Sequence, residues 1–196
     1  MTGWTTHSGK AVALPIDRID TDQIIPARFM STPRSEGYGA FLFHDLRAET
    51  FPLVRHPSAS ILLAGKDFGT GSSREAAVYA LVDFGIRVVV ATSFGDIFAS
   101  NAVNNGLLPA RVSNDDLTSL LSAITDGTGA ATADLAASTI TLGDLSVTFD
   151  LDPVWREKLI NGWDDIALTR KPLAAIAAYR ARLGKTQHWK LPAVAG

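Results

Sequence analysis

Three short apolar runs alternate with helical patterns between residues 60 and 112, and this alternation constrains the fold more than any other feature. Ser60-Ile61-Leu62-Leu63-Ala64 is continuous and bounded by Gly65, the pattern of a buried strand. Ser73 to Phe84 follows with Ala76, Ala77, Ala80, Leu81 and Phe84 on one helical face, and Gly85 stops it. Ile86 to Ala91 reads as the next buried strand, Gly95 to Asn105 as a short helix and Leu107 to Val112 as a third strand. Such alternation predicts parallel pairing with helices laid over the sheet.

The flanks add elements of other kinds. Lys10 to Ile16 is an apolar strand that runs into the polar turn Asp17 to Asp22. Residues 31–58 are irregular, punctuated by Pro33, Gly37, Gly39, Pro52 and Pro57, yet they hold Tyr38, Phe41 and Phe43. A connection this long is usually functional, and weak order is expected there until a partner binds. Asn114 is placed as the cap of a helix through Ile124, after which 126–133 is rich in Gly, Thr and Ala. The runs 138–142 and 145–149 flank Gly143-Asp144 as a hairpin, and helices over 153–161 and 172–183 follow. No repeat or linker divides the chain, so one α/β domain is expected over residues 1–196.

Composition excludes several functions. With 46% hydrophobic and 19% charged residues the chain is that of a folded cytoplasmic protein. A formal charge of -2 gives no basic surface for nucleic acid. No apolar run approaches a membrane span, and Met1-Thr2-Gly3-Trp4 opens no signal peptide. The absence of cysteine removes disulfides, a thiol nucleophile and any cysteine-held iron–sulfur cluster from this chain. His7, His44, His56 and His188 are scattered without zinc spacing, so no metal site is expected.

Chemistry concentrates in Gly65-Lys66-Asp67-Phe68-Gly69-Thr70-Gly71-Ser72-Ser73-Arg74-Glu75. Glycines at 65, 69 and 71 permit close approach, and two hydroxyls and a guanidinium then stand where a helix begins, an arrangement suited to a small polyanion. Ser72 and Glu75 also match an S-x-x-E capping box, so on local sequence a helix cap and a binding loop both stand open. Arg74 in the first turn opposes the helix dipole unless an anion shares the site, and its planar fork suits a carboxylate. Phosphate is the rival ligand, but neither G-x-x-x-x-G-K-[ST] nor G-x-G-x-x-G is present here.

Asp20-Thr21-Asp22-Gln23-Ile24-Ile25-Pro26, Asp67-Phe68-Gly69-Thr70-Gly71-Ser72-Ser73-Arg74-Glu75, Ser93-Phe94-Gly95-Asp96-Ile97-Phe98 with Asn101, and Asn105-Gly106-Leu107-Leu108-Pro109 occur in that order. Together they resemble the swivelling domain of the aconitase superfamily, and within it the separate small subunits of bacterial 3-isopropylmalate dehydratases (isopropylmalate isomerases). Gly37 to Phe43 and Asn161 to Thr169 resemble the longer bacterial form, so the similarity spans most of residues 7–189.

The resemblance implies a swivelling β/β/α fold, a mixed sheet or partly closed barrel flanked by helices. It implies a two-subunit hydro-lyase of leucine biosynthesis that interconverts 2-isopropylmalate and 3-isopropylmalate by dehydration and rehydration. A large partner subunit would carry the [4Fe–4S] cluster, with no cofactor on this chain, and the substrate is a small di-acid. Ser72 matches the family's catalytic serine, which as an alkoxide moves a proton at the carbon next to a carboxylate. Ser73 and Arg74 match holders of substrate carboxylate.

Phe29 and Met30 match the region that shapes the pocket for the variable side chain, with plain packing as the competing reading. Arg47 either reaches substrate or the large subunit, or stands solvated. Asp20 and Asp22 either hold a metal or satisfy their own turn. The family pattern Gly-Ser-Ser-Arg-Glu-His-Ala has Ala76 at its histidine position here. That departure leaves open a related acid (citraconate/2-methylmalate or homoaconitate) and a non-catalytic paralogue.

Overall fold

A computed structural model describes residues 2–170 and 172–190. One expected domain is met by two compact units, the first running to Asp164 and the second beginning at Asp165.

The first unit is built on β1 (Thr6–Leu14), α1 (Thr21–Ile24), α2 (Pro52–Arg55), β2 (Ala59–Ala64), α3 (Glu75–Phe84), β3 (Val88–Ala91), α4 (Asp96–Asn104), β4 (Leu108–Arg111), α5 (Asn114–Ala123), β5 (Thr128–Asp134), β6 (Thr139–Leu142), β7 (Leu145–Thr148) and α6 (Pro153–Asn161). The second holds α7 (Asp165–Arg170) and α8 (Leu173–Thr186). The seven strands form one mixed sheet in the order β4-β3-β2-β1-β5-β6-β7. β1 pairs parallel with β2, β2 with β3 and β3 with β4, while β5, β6 and β7 run antiparallel from the other edge of β1. The sheet comes close to shutting on itself: Arg111 at the end of β4 is bridged to Asp150, just past β7, with Asp150 N–H donating to Arg111 O at 2.7 Å. The sequence expectation of a mixed sheet or partly closed barrel flanked by helices holds.

Period-two alternation sorts the strand residues into two cores. Val12, Leu14, Leu62, Ala64, Val89 and Ala91 face α1, α3 and α4. Ala11, Ile61, Leu63, Val88 and Val90 face the opposite way, where Ile140, Val147, Phe149 and Leu159 close over them. Both faces are covered, which is why β2 and β3 are apolar without interruption.

Several local expectations shift. β1 begins at Thr6, four residues ahead of the expected start at Lys10, because its polar first half pairs with β5. β5 lies in the Gly/Thr/Ala stretch that carries no strand signal of its own. Ser113 caps α5 in place of Asn114, its hydroxyl accepting from Asp116 N–H at 3.1 Å.

Residues 31–58 depart most from expectation. Short 3-10 turns at Arg34–Glu36, Gly39–Phe41 and His44–Leu46 fold this segment onto α3, with Leu42 and Phe43 fully buried. Asp83, near the end of α3, accepts both Arg34 nitrogens at 2.6 and 2.8 Å and the Tyr38 N–H at 2.7 Å. Buried rings and a satisfied carboxylate order the segment within the chain, against the expectation of weak order.

Candidate functional site

The three connections that leave β1, β2 and β3 meet at the carboxyl ends of the parallel strands, where open α/β sheets bind ligands. Asp20 bridges to Thr70 and Phe68 to Phe94. Gly69 N–H donates to Ile19 O at 2.7 Å, and Gly95 N–H to Phe68 O at 2.9 Å. The Ser93 hydroxyl takes the Asp67 N–H at 2.8 Å and donates to Asp67 Oδ1 at 2.6 Å. Beneath them Phe68, Phe94 and Phe98 pack ring against ring.

The glycines answer to this crowding. Gly69 has φ of +74°, and a Cβ there would sit 2.2 Å from the Phe98 ring. Gly71 has φ of +98°, left-handed backbone that a side chain would strain. Close approach at 69 is therefore to the chain's own α4, and the stretch from Gly71 to Ser73 is exposed.

That stretch opens on a cleft of about 260 Å³ lined by Gly69 to Ser73 and Gly95 to Phe98. Ser72 and Ser73 are exposed in it, and neither hydroxyl has a hydrogen-bond partner among the described residues. The Ser72 carbonyl is held twice, by Arg74 N–H at 2.7 Å and by the Thr21 hydroxyl at 3.0 Å. Arg74 pairs with Asp22 through Nη1 alone, so Nε and Nη2 keep their donors for another acceptor. A larger hollow of about 510 Å³ near Arg111, Asp150 and Trp155 has no serine or threonine in its lining.

The capping box proposed for Ser72 and Glu75 does not form. α3 starts at Glu75 with Arg74 as an N-cap that makes no side-chain bond. The Glu75 carboxylate instead accepts from Asn105 Nδ2 at 2.9 Å and from Tyr79, whose hydroxyl is held above the ordinary tyrosine range by burial first and by Glu75 second. The N–H groups of the first turn of α3 therefore keep their electropositive ends without a side-chain cap. α4 likewise starts in the cleft wall, after Gly95, without a side-chain cap. Two free hydroxyls and the start of α4 border this small space together with Asp96, while Arg74 follows Ser73 in the chain and is not part of the lining.

The other candidates stand elsewhere. Phe29 stacks on Phe41 at 4.4 Å and carries the Arg28 guanidinium at 4.7 Å, while Met30 is exposed; neither lines the cleft. Arg47 donates to Gly39 O at 3.2 Å and lies over the Phe84 ring, at the opposite end of α3 from the loop. Burial against that ring pushes the Arg47 guanidinium down from its ordinary range. Ala76, at the family's histidine position, is buried in the core and is not among the residues that line the cleft.

Asp20 caps α1, exchanging bonds with Gln23 at 2.7 and 2.9 Å, and Asp22 is spent on Arg74. No group of three or more His, Asp or Glu is placed to hold a metal among the described residues. Thr21, Asp22 and Asn105 are the site neighbours that the sequence reading did not single out for this role. The order of the motifs is the one signal that brings them near Ser72.

Comparison with known proteins agrees with this fold. The family model described as the aconitase C-terminal domain matches residues 1–115. A 3-isopropylmalate dehydratase small subunit from Rhodospirillum centenum is 43% identical, over 97% of this chain and 100% of that relative. One from Frankia casuarinae is 44% identical, over 92% of this chain and 95% of its own length. Among solved structures, a 3-isopropylmalate dehydratase from Methanocaldococcus jannaschii superposes with a TM-score of 0.69 at 27% identity, covering 89% of this chain and 99% of that one. The chain therefore belongs to the aconitase C-terminal domain family, among the small subunits of 3-isopropylmalate dehydratase.

Proposed function

We propose that this chain is the cytoplasmic small subunit of a hydro-lyase that interconverts 2-isopropylmalate and 3-isopropylmalate in leucine biosynthesis, working with a large partner subunit. The observation that carries the reading is the pair of unpartnered hydroxyls, Ser72 and Ser73, that line one cleft just ahead of Arg74, in a chain 43% identical to a named small subunit over 97% of its length. At about 260 Å³ and open to one side, the cleft suits half of a site that a partner completes.

In this reading the open edge of Arg74 and the Ser73 hydroxyl take a carboxylate of the di-acid, which a planar guanidinium grips with parallel hydrogen bonds. The bound carboxylate sets the neighbouring C–H against Ser72 Oγ. Ser72, as the alkoxide, takes that proton while the hydroxyl leaves the adjacent carbon as water. Rehydration that puts the proton on that adjacent carbon and the hydroxyl on the first gives the other isomer. A free serine hydroxyl is a poor base, so the charge has to be stabilised by its surroundings. In this reading the Arg74 cation, two residues along the chain, and the backbone N–H groups at the uncapped starts of α3 and α4 supply that stabilisation, against the acidic Glu75 and Asp96 in the same first turns.

A [4Fe–4S] cluster does not fit this chain, which has no cysteine and, among the described residues, no three His, Asp or Glu placed together to hold a metal. The Lewis acidity that helps a hydroxyl leave as water is assigned to the large subunit. No helix of the described residues is long and apolar enough to cross a membrane.

The test is turnover by the assembled enzyme. The chain, co-expressed with its cognate large subunit, is expected to give enediacid absorbance from isopropylmalate well above that from 2-methylmalate or homocitrate-type acids. Silence toward every acid from an intact, cluster-loaded complex would rule the reading out.

A further inference from the structure

We propose that Thr21 is a positioning residue for Ser72, so that α1 sets the aim of the loop across roughly fifty residues of sequence. This inference rests on the reading of Ser72 given above. Thr21 is 2% exposed, and it and Lys158 are the buried polar or charged residues among the described ones. A buried hydroxyl has to find a partner, and this one donates to Ser72 O at 3.0 Å. The Thr21 N–H donates to Thr70 O, also at 3.0 Å. One residue thus grips the carbonyls on either side of Gly71, the most freely hinged position in the loop.

The grip is anchored at its other end. The Asp20–Gln23 capping box closes α1, and Ile24 and Ile25, fully buried, tie it to the core. The Ser72 carbonyl also receives Arg74 N–H at 2.7 Å, which folds the chain tightly about Ser73. Losing the Thr21 bond would therefore leave the fold standing on Ile24 and Ile25, while the peptide that carries Ser72 could rotate about Gly71. A displacement of that kind in a proton-transfer site costs on the order of a hundredfold in rate.

Two readouts decide the matter. In the isolated chain, Thr21→Val is expected to move the backbone amide resonances of Ser72, Ser73 and Arg74 while leaving those of β2 and β3 in place, and Thr21→Ser, which keeps the hydroxyl, restores them. In the complex with the large subunit, Thr21→Val is expected to lower kcat by about tenfold to a hundredfold with KM little changed, and Thr21→Ser to recover most of it. Unmoved loop resonances in Thr21→Val, or wild-type kcat from that variant, would overturn the proposal. If Ser72→Ala proved fully active, the reading of Ser72 as base would fall, while the loop resonances would still report whether Thr21 holds the loop.

Discussion

The Asn105 side-chain amide donates to Glu75 Oε1 at 2.9 Å, so the residue that caps the end of α4 holds the first residue of α3. The same Nδ2 also donates to Asn101 O at 2.9 Å. Two neighbouring helices are thereby locked beside the cleft without using either serine. Asn105→Ala is expected to lower stability by about 1 kcal/mol, read as a fall of roughly 2–4 °C in Tm. Ser72→Ala, which removes no cap, is expected to leave Tm unchanged. Had Ser72 capped α3, its loss would cost about 1 kcal/mol. Thermal melts of the two variants separate these outcomes.

The Asp83 carboxylate is the anchor of residues 31–58, since it takes Arg34 twice and the Tyr38 amide once. Arg34 is 45% exposed, so solvent weakens its share, and the Tyr38 N–H is the more costly group to orphan. Asp83→Ala is expected to cost about 1–2 kcal/mol in denaturant unfolding. Amide exchange in the isolated chain is expected to show protection from Tyr38 to Phe43, lost in that variant. Fast exchange of these amides in the unaltered chain would contradict the packing described.

His7 gives the fold a dependence on pH. Burial is the larger cause and the nearby Arg87 the smaller, and both push its imidazole below the ordinary value of about 6.5. Its Nε2 meets the Ser60 hydroxyl at 2.9 Å. The unfolded chain then binds a proton at a pH where the folded chain does not, so stability rises with pH through that window. On acidification it is lost from about pH 6.5 downward, until the folded imidazole also protonates. His7→Gln is expected to flatten the slope of denaturation midpoint against pH just below about 6.5. An unchanged slope would show that His7 is not its source.

Much of this was legible in the sequence where one physical effect dominates. β2 and β3 are buried on both faces, so their apolar runs leave no choice of element. β5 was hidden because its inward residues Ala131 and Ala133 are small, and its strand state comes from pairing with β1 rather than from its own pattern. The S-x-x-E spacing at Ser72 misleads for a related reason. Gly71 in left-handed backbone and the hold on the Ser72 carbonyl set residues 72 and 73 ahead of the helix, and the capping box forms instead at Asp20 and Gln23, within what reads as a polar turn. Ser72, Ser73 and Arg74 could be picked out because they are contiguous and chemically distinctive. Their supports at Thr21 and Asp22 lie about fifty residues away and become visible only when β1 and β2 pair in parallel. Phe29 and Met30 are drawn from resemblance, and the folded chain by itself brings neither them nor Arg47 to the cleft.

The most direct measurement is steady-state dehydration of isopropylmalate by the cluster-loaded complex carrying Ser72→Ala, beside the unaltered complex and Ser73→Ala. Removal of the base is expected to lower kcat by about a thousandfold or more with KM within a few-fold, while Ser73→Ala raises KM as a weakened carboxylate contact should. Turnover at the unaltered rate from a folded, cluster-loaded Ser72→Ala complex would contradict the assignment of proton transfer to this loop.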